Sequence, residues 1–137
     1  MTVEESTSVQ KAAKKMMDKN ISSLVVMDEN SRPTGLVTER DLVRRVCIQD
    51  ASPSEIITKE IMSSPLITIE STALPSEAID VMLQNNVRHL LVLDSNKTSN
   101  DKNKPIGIIT PLDLIRSQDY AGSDKNDTIE MLLEYYI

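Results

Sequence analysis

Two eight-residue segments, GLVTERDL at 35–42 and GIITPLDL at 107–114, carry the residues best suited to chemistry. Gly35 and Gly107, Thr38 and Thr110, and Asp41 and Asp113 each stand 72 positions apart, so one device is present twice. In each segment an apolar run ends in Thr, where a helix is expected to begin. The free amides and positive dipole end of such a helix form an anion site, to which Thr38 or Thr110 adds a hydroxyl. A phosphate suits that position. Three residues on, Asp41 or Asp113 offers a carboxylate able to accept two hydrogen bonds from vicinal hydroxyls, the chemistry by which acidic residues hold ribose. A glycine inside a strand usually marks close approach of another backbone or of a ligand, so something is expected to need room at Gly35 and Gly107. T-x-x-D is equally close to a helix capping box, in which Thr caps the helix and the acidic residue reaches back. From one copy, cap and binding site are both open, and a Thr can serve as both.

The elements that must position these residues are also duplicated. Val3 and Ile69, Ala12 and Ala78, Met16 and Met82, Asn20 and Asn86, Leu24 and Leu90, and Asp28 and Asp94 all lie 66 apart. Six residues are therefore gained before Gly107, within a polar loop at 95–105. VEEST and TIEST end a short strand and start a helix, with their Ser and Thr as candidate caps. The helical stripe is Val9, Ala12, Ala13, Met16 and Met17 in one copy, and Ala78, Ile79, Met82 and Leu83 in the other. Helix ends are expected near Asn20 and Asn86. The runs SLVVMD and HLLVLD, followed by PTGLVT and PIGIIT, read as pairs of strands, and a last helix follows each Thr. The order is strand, helix, strand, strand, helix.

The boundaries that follow are a first repeat at 1–50, a linker and lead-in at 51–65 with a short helix and a turn at Pro65, a second repeat at 66–118, and a tail at 119–137. The tail reads as a polar spacer and an amphipathic helix from near Asp127, whose Ile129, Leu132, Leu133 and Tyr136 form one stripe that would pack back onto the body.

With 137 residues, no Phe or Trp and seven Met, the core must be aliphatic, which favours an α/β (α+β) fold. The net charge of -6 disfavours binding to nucleic acid or anionic membranes. No apolar run approaches a membrane span, and the N-terminal residues lack a signal-peptide pattern, so a cytoplasmic protein is expected. One Cys and one His cannot make an internal disulfide or an ordinary structural zinc site. Cys47 follows Leu42, Val43 and Val46 at helical spacing and is expected as a buried core or interface thiol. No nucleophile with a paired base, no P-loop and no carboxylate cluster argues for catalysis, so the chain is not expected to be an enzyme.

The duplicated segments together resemble a tandem pair of CBS domains, the cystathionine-β-synthase-type regulatory module. In the first copy the resemblance rests on EESTSVQKAAKKMMDKNISSLVVMD and GLVTERDL, and in the second on EIMSSPLITI, EAIDVML, VRHLLVLD and GIITPLDL. It implies two β-α-β-β-α repeats related by a pseudo-twofold axis, packed through their sheets, with a cleft for each repeat. It further implies a homodimer, an adenosine-containing ligand such as AMP, ADP, ATP, S-adenosylmethionine or NAD, no required cofactor, and an effector protein regulated in trans. Following the family geometry, Val3, Ile21, Ser22 and Ser23 would join Thr110, Asp113 and Arg88 in one cleft. Ile69, Val87 and His89 would join Thr38, Arg40 and Asp41 in the other. Arg88 and His89 stand where the family often places a phosphate-contacting basic side chain, whereas the first copy has Ser22 and Ser23 there and Arg40 could supply the charge. Two departures stand out. Pro111 and Leu112 replace the charged pair of the first motif, so the clefts are not equivalent, and the first copy lacks the I-M-x-x-P lead-in that EIMSSP gives the second.

Overall fold

The computed structural model describes residues 1–95 and 104–116, which fall into two units, Met1–Leu66 and Ile67 onward. The tail at 119–137, with its expected amphipathic helix, and most of the 95–105 loop lie outside the described residues.

In the first unit the order is β1 (Thr2–Glu4), α1 (Val9–Lys19), β2 (Ser23–Met27), β3 (Pro33–Thr38), α2 (Glu39–Leu42) and α3 (Thr58–Ile61). Strand β1 runs parallel to β2 and pairs Thr2 with Val25, while β3 runs antiparallel to β2 and pairs Val26 with Gly35. The second unit repeats the plan as β4 (Thr68–Glu70), α4 (Pro75–Asn85), β5 (Leu90–Leu93), β6 (Pro105–Ile109) and α5 (Pro111–Arg116). Its register is the same, with Thr68 opposite Leu91 and Val92 opposite Gly107. Even the irregularity recurs, between Val26 and Met27 in one sheet and between Val92 and Leu93 in the other.

Periodicity accounts for the cores. Val9, Ala12 and Met16 of α1 face Val3, Leu24, Val26 and Val37, all buried, and α4 offers Ala78, Ile79 and Met82 to Leu90 and Leu114. Met17, expected on the buried stripe, is 72% exposed: it lies one position, about 100°, round the helix from Met16. Both helices stop in the same way. Asn20 and Asn86 adopt φ of 51° and 53°, their amides bond Met17 O and Leu83 O, and the next amides, of Ile21 and Val87, bond Met16 O and Met82 O. This pair of bonds is the Schellman stop, which needs a residue tolerant of the left-handed region. The starts differ from expectation. The cap of α1 is Ser8 rather than Ser6 or Thr7, and at the equivalent Leu74 it is Glu77 Oε2 that accepts from the Leu74 amide at 2.6 Å.

Residues 51–65 pack into the first unit. Ile61 belongs to its core, and the fully buried Thr58 donates its hydroxyl to Glu4 O at 2.7 Å and Glu5 O at 3.0 Å. Beyond α2 the chain continues as a π-helical turn over Val43–Cys47, which buries Val46 but leaves Cys47 exposed. The thiol is therefore not a core residue. No helix among the described residues is long and apolar enough to cross a membrane.

Candidate functional site

Each Thr–Asp device stands where the third strand of its unit turns into a helix. Thr38 caps α2 from an extended conformation. Its amide donates to Asp41 Oδ2 at 2.8 Å, its hydroxyl donates to the same oxygen at 2.9 Å, and the Asp41 amide lies 3.3 Å from Thr38 Oγ1. The second copy repeats this: the Thr110 amide and hydroxyl each donate to Asp113 Oδ2 at 2.8 Å. The first motif is a capping box, one of the two readings the residues left open, and the second shares its carboxylate half, with the Asp113 amide on Thr110 O at 3.1 Å. The cap engages Oδ2, so a diol would be met by Oδ1.

Surroundings separate the two carboxylates. Asp41 is 8% exposed, and Arg45 Nε lies 3.7 Å from its Oδ1, whereas Asp113 is exposed. Arg45 was not among the residues singled out from sequence, although its spacing of four from Asp41 on a helix was the available signal. Its Nη1 also donates to Ile61 O and Met62 O, each at 2.9 Å. Arg40 is exposed.

The strand register brings the other candidates beside each device. Ser23 pairs with Thr38, and the Glu39 amide donates to Ser22 O at 3.1 Å. Ile21, the residue after the helix stop, packs against the first core. In the second unit Leu90 pairs with Ile109, so Arg88 and His89, just before Leu90, stand at the Thr110 end of the sheet, and both are half-buried. Val87 and Ile69 pack against the second core, and Val3 is buried in the first with 7% exposure. The apolar candidates are thus committed at least partly to packing.

The two glycines differ. A Cβ on Gly35 would lie 2.5 Å from Met62 Sδ and 3.0 Å from Ser63 O, so the close approach there is by the chain's own Met62 side chain and Ser63 carbonyl. A Cβ on Gly107 would meet nothing within 4 Å. A concavity of about 950 Å³ in the first unit lies at the opposite end of β1 and β2, against Glu4, Glu5, Met27 and Lys59, and includes neither Thr38 nor Asp41. Glu5 there is paired with Lys59 at 3.0 Å and accepts from Thr34 Oγ1 at 2.9 Å, which together hold its carboxyl below the ordinary value. Among the described residues no group of His, Cys, Asp and Glu could hold a metal ion.

Comparison with known proteins now adds to this geometry. The family model described as CBS domain matches residues 1–47 and 58–120. An uncharacterised protein of Methanopyrus kandleri is 38% identical over 108 residues, covering 79% of this chain and 52% of its own, so the chain spans about half of that relative. A solved protein with CBS domains from Burkholderia ambifaria is 34% identical, with a TM-score of 0.74 and coverage of 85% of this chain and 79% of that one. A CBS domain protein from Pyrobaculum aerophilum, solved in complex with AMP, shares the fold at a TM-score of 0.73 and 22% identity, over 98% of this chain and 89% of that one.

Proposed function

The chain belongs to the CBS-domain family and is a regulatory module of that class, and from that premise we propose that it senses an adenosine-containing ligand through its paired Thr–Asp devices. One observation carries the reading: a carboxylate, a Thr hydroxyl and a helix start recur at the same register in both units, beside Ser22 and Ser23 in one and Arg88 and His89 in the other. Ribose hydroxyls would be accepted by Oδ1 of Asp41 or Asp113. Phosphate would be met by Arg40 or by Arg88 and His89, which can supply charge-assisted bonds, and by the Thr hydroxyl once it turns from Asp Oδ2 to donate to the ligand. Adenine would lie on apolar residues among Val3, Ile21, Ile69 and Val87. The AMP complex of the Pyrobaculum relative supports an adenine nucleotide as the first compound to try. The bound compound would be a ligand and not a cofactor, and its signal would pass to a homodimer partner or to an effector protein, in the cytoplasm.

Regulation follows only from differential affinity: a ligand that binds two arrangements equally shifts neither. A second reading is favoured by the local role of these carboxylates, since Asp Oδ2 is already engaged by the Thr in both copies. In that reading the module is a ligand-free dimerisation scaffold. Thermal melts with AMP, ADP, ATP, S-adenosylmethionine and NAD separate the two. A compound at one hundred times its Kd adds about 2.7 kcal/mol, a rise of several degrees for a chain of this size. The adenosine reading expects that rise from at least one compound, recovered unchanged after prolonged incubation. A flat panel together with a stable dimer in sedimentation would favour the scaffold, and consumption of the compound would make the chain an enzyme.

A further inference from the structure

We propose that Arg45 is a positioning residue that ties the Asp41 carboxylate to the strap by which the chain leaves the first unit, so that ligand engagement at Asp41 loosens that strap. The clasp is read from the structure alone; its trigger rests on the adenosine reading.

Three independent features converge on residues 61–63. Arg45 Nη1 donates to the carbonyl oxygens of Ile61 and Met62 at 2.9 Å each. Ser63 and Leu36 exchange backbone hydrogen bonds, Ser63 N to Leu36 O at 2.8 Å and Leu36 N to Ser63 O at 3.0 Å, which extends β3 outward by one bridge. Met62 occupies the space that the missing side chain of Gly35 leaves open. The strap is therefore held at its carbonyls by a cation, at its backbone by an edge bridge, and at one side chain by a notch.

The cation has a second client. Its Nε faces Asp41 Oδ1 at 3.7 Å, the oxygen that the cap does not use. Asp41 has 11% side-chain exposure against 44% for Arg45, so the carboxylate is desolvated and the guanidinium is its nearest compensating charge. A diol that hydrogen-bonds Oδ1 competes for the oxygen that fixes the Arg45 side chain. Loosening Arg45 removes two charge-assisted bonds from the strap, which are the stronger kind. Arg45 also lies within the π-helical turn Val43–Cys47, a local irregularity frequent at functional sites.

Among the described residues the device is seen in the first copy. The position 72 residues after Arg45 is Ser117, and Gly107 has nothing within 4 Å of its would-be Cβ. The two Thr–Asp motifs would then have different outputs, since an arginine follows Asp41 at the position where a serine follows Asp113.

The test is amide exchange at Ser63 and Leu36, normalised to the core amides of β2, in the full chain and in Arg45→Met, Arg45→Lys and Arg44→Met, each with and without saturating AMP. In the parent, AMP is expected to speed exchange at Ser63 several-fold. In Arg45→Met, exchange without AMP is expected to be raised about tenfold already, with no further response to AMP although AMP still binds. Arg45→Lys should recover only part of the protection, since one ammonium cannot span Oδ1 and both carbonyls, and Arg44→Met should match the parent. AMP binding that leaves Ser63 and Leu36 unchanged would overturn the coupling. Unchanged protection in Arg45→Met without ligand would overturn the clasp itself. If no adenine compound binds the parent, the trigger falls with the functional reading, while the ligand-free comparison still decides the clasp.

Discussion

Asp41 and Asp113 accept the same two hydrogen bonds from Thr38 and Thr110, yet among the described residues Asp41 is buried against a guanidinium while Asp113 is exposed. The shared part was legible, because T-x-x-D encodes a capping box locally. The unshared part was not, because it depends on a chain crossing that brings the carbonyls of Ile61 and Met62, 16 and 17 positions on, to Arg45. Thr58 was illegible for a similar reason: in sequence it is one Thr in a polar stretch, but its hydroxyl bonds carbonyls 53 and 54 positions away. Thr58→Val keeps the shape and removes both bonds. A loss of about 1–3 kcal/mol is expected, read from the urea midpoint; an unchanged midpoint would show that these bonds contribute nothing. Glu5 gives a pH signature. Lys59 first and Thr34 second hold its carboxyl below the ordinary 4.5, so its contribution is present above that value and is lost as the pH falls through the folded-state value. Glu5→Gln should therefore be less stable than the parent at pH 7, and the gap should narrow at pH 3. A gap that stays constant with pH would rule out the ion pair as its source.

At the scale of elements, the periodic runs and the Asn stops were readable because both are local: apolar spacing sets the buried face, and Asn tolerates the left-handed turn. Helix starts were less so. A Ser or Thr can cap from any of several adjacent positions, and the second copy caps with Glu77 instead. The glycines show the limit most clearly. Both head the same motif, and both were expected to need room, but a side chain would collide with Met62 and Ser63 only at Gly35. Met62 can swing aside, whereas the Ser63 carbonyl is pinned by the Leu36 amide at 3.0 Å. Gly35→Ala is expected to cost about 1–3 kcal/mol through overpacking. Gly107→Ala should be neutral or stabilising by up to about 1 kcal/mol, since Gly weakens a strand. Denaturation of the two variants checks this, and equal effects would contradict the assigned close approach.

For the whole molecule, duplication was the most informative property of the sequence. An offset of 66 up to Asp94 and 72 from Gly107 matches strands, helix stops and bulges that recur at those same intervals, with the hairpin closed by the Asp94 amide on Lys104 O at 2.9 Å. What duplication does not specify is divergence between the copies, on which the proposed function rests: Arg45 and the 61–63 strap stand in one copy, Arg88 and His89 in the other. The claim on which the functional account rests is that at least one Thr–Asp carboxylate holds ribose. Because these carboxylates also cap helices, Asp→Ala would confound folding with binding, whereas Asn keeps an acceptor for the Thr amide while losing the charge. The deciding measurement is a calorimetric titration of AMP into the parent, Asp41→Asn, Asp113→Asn and the double variant, with circular dichroism verifying each fold. The account predicts binding by the parent, a loss of affinity of tenfold or more in at least one single variant, and no binding by the double variant. Binding that survives unchanged in the folded double variant would contradict it.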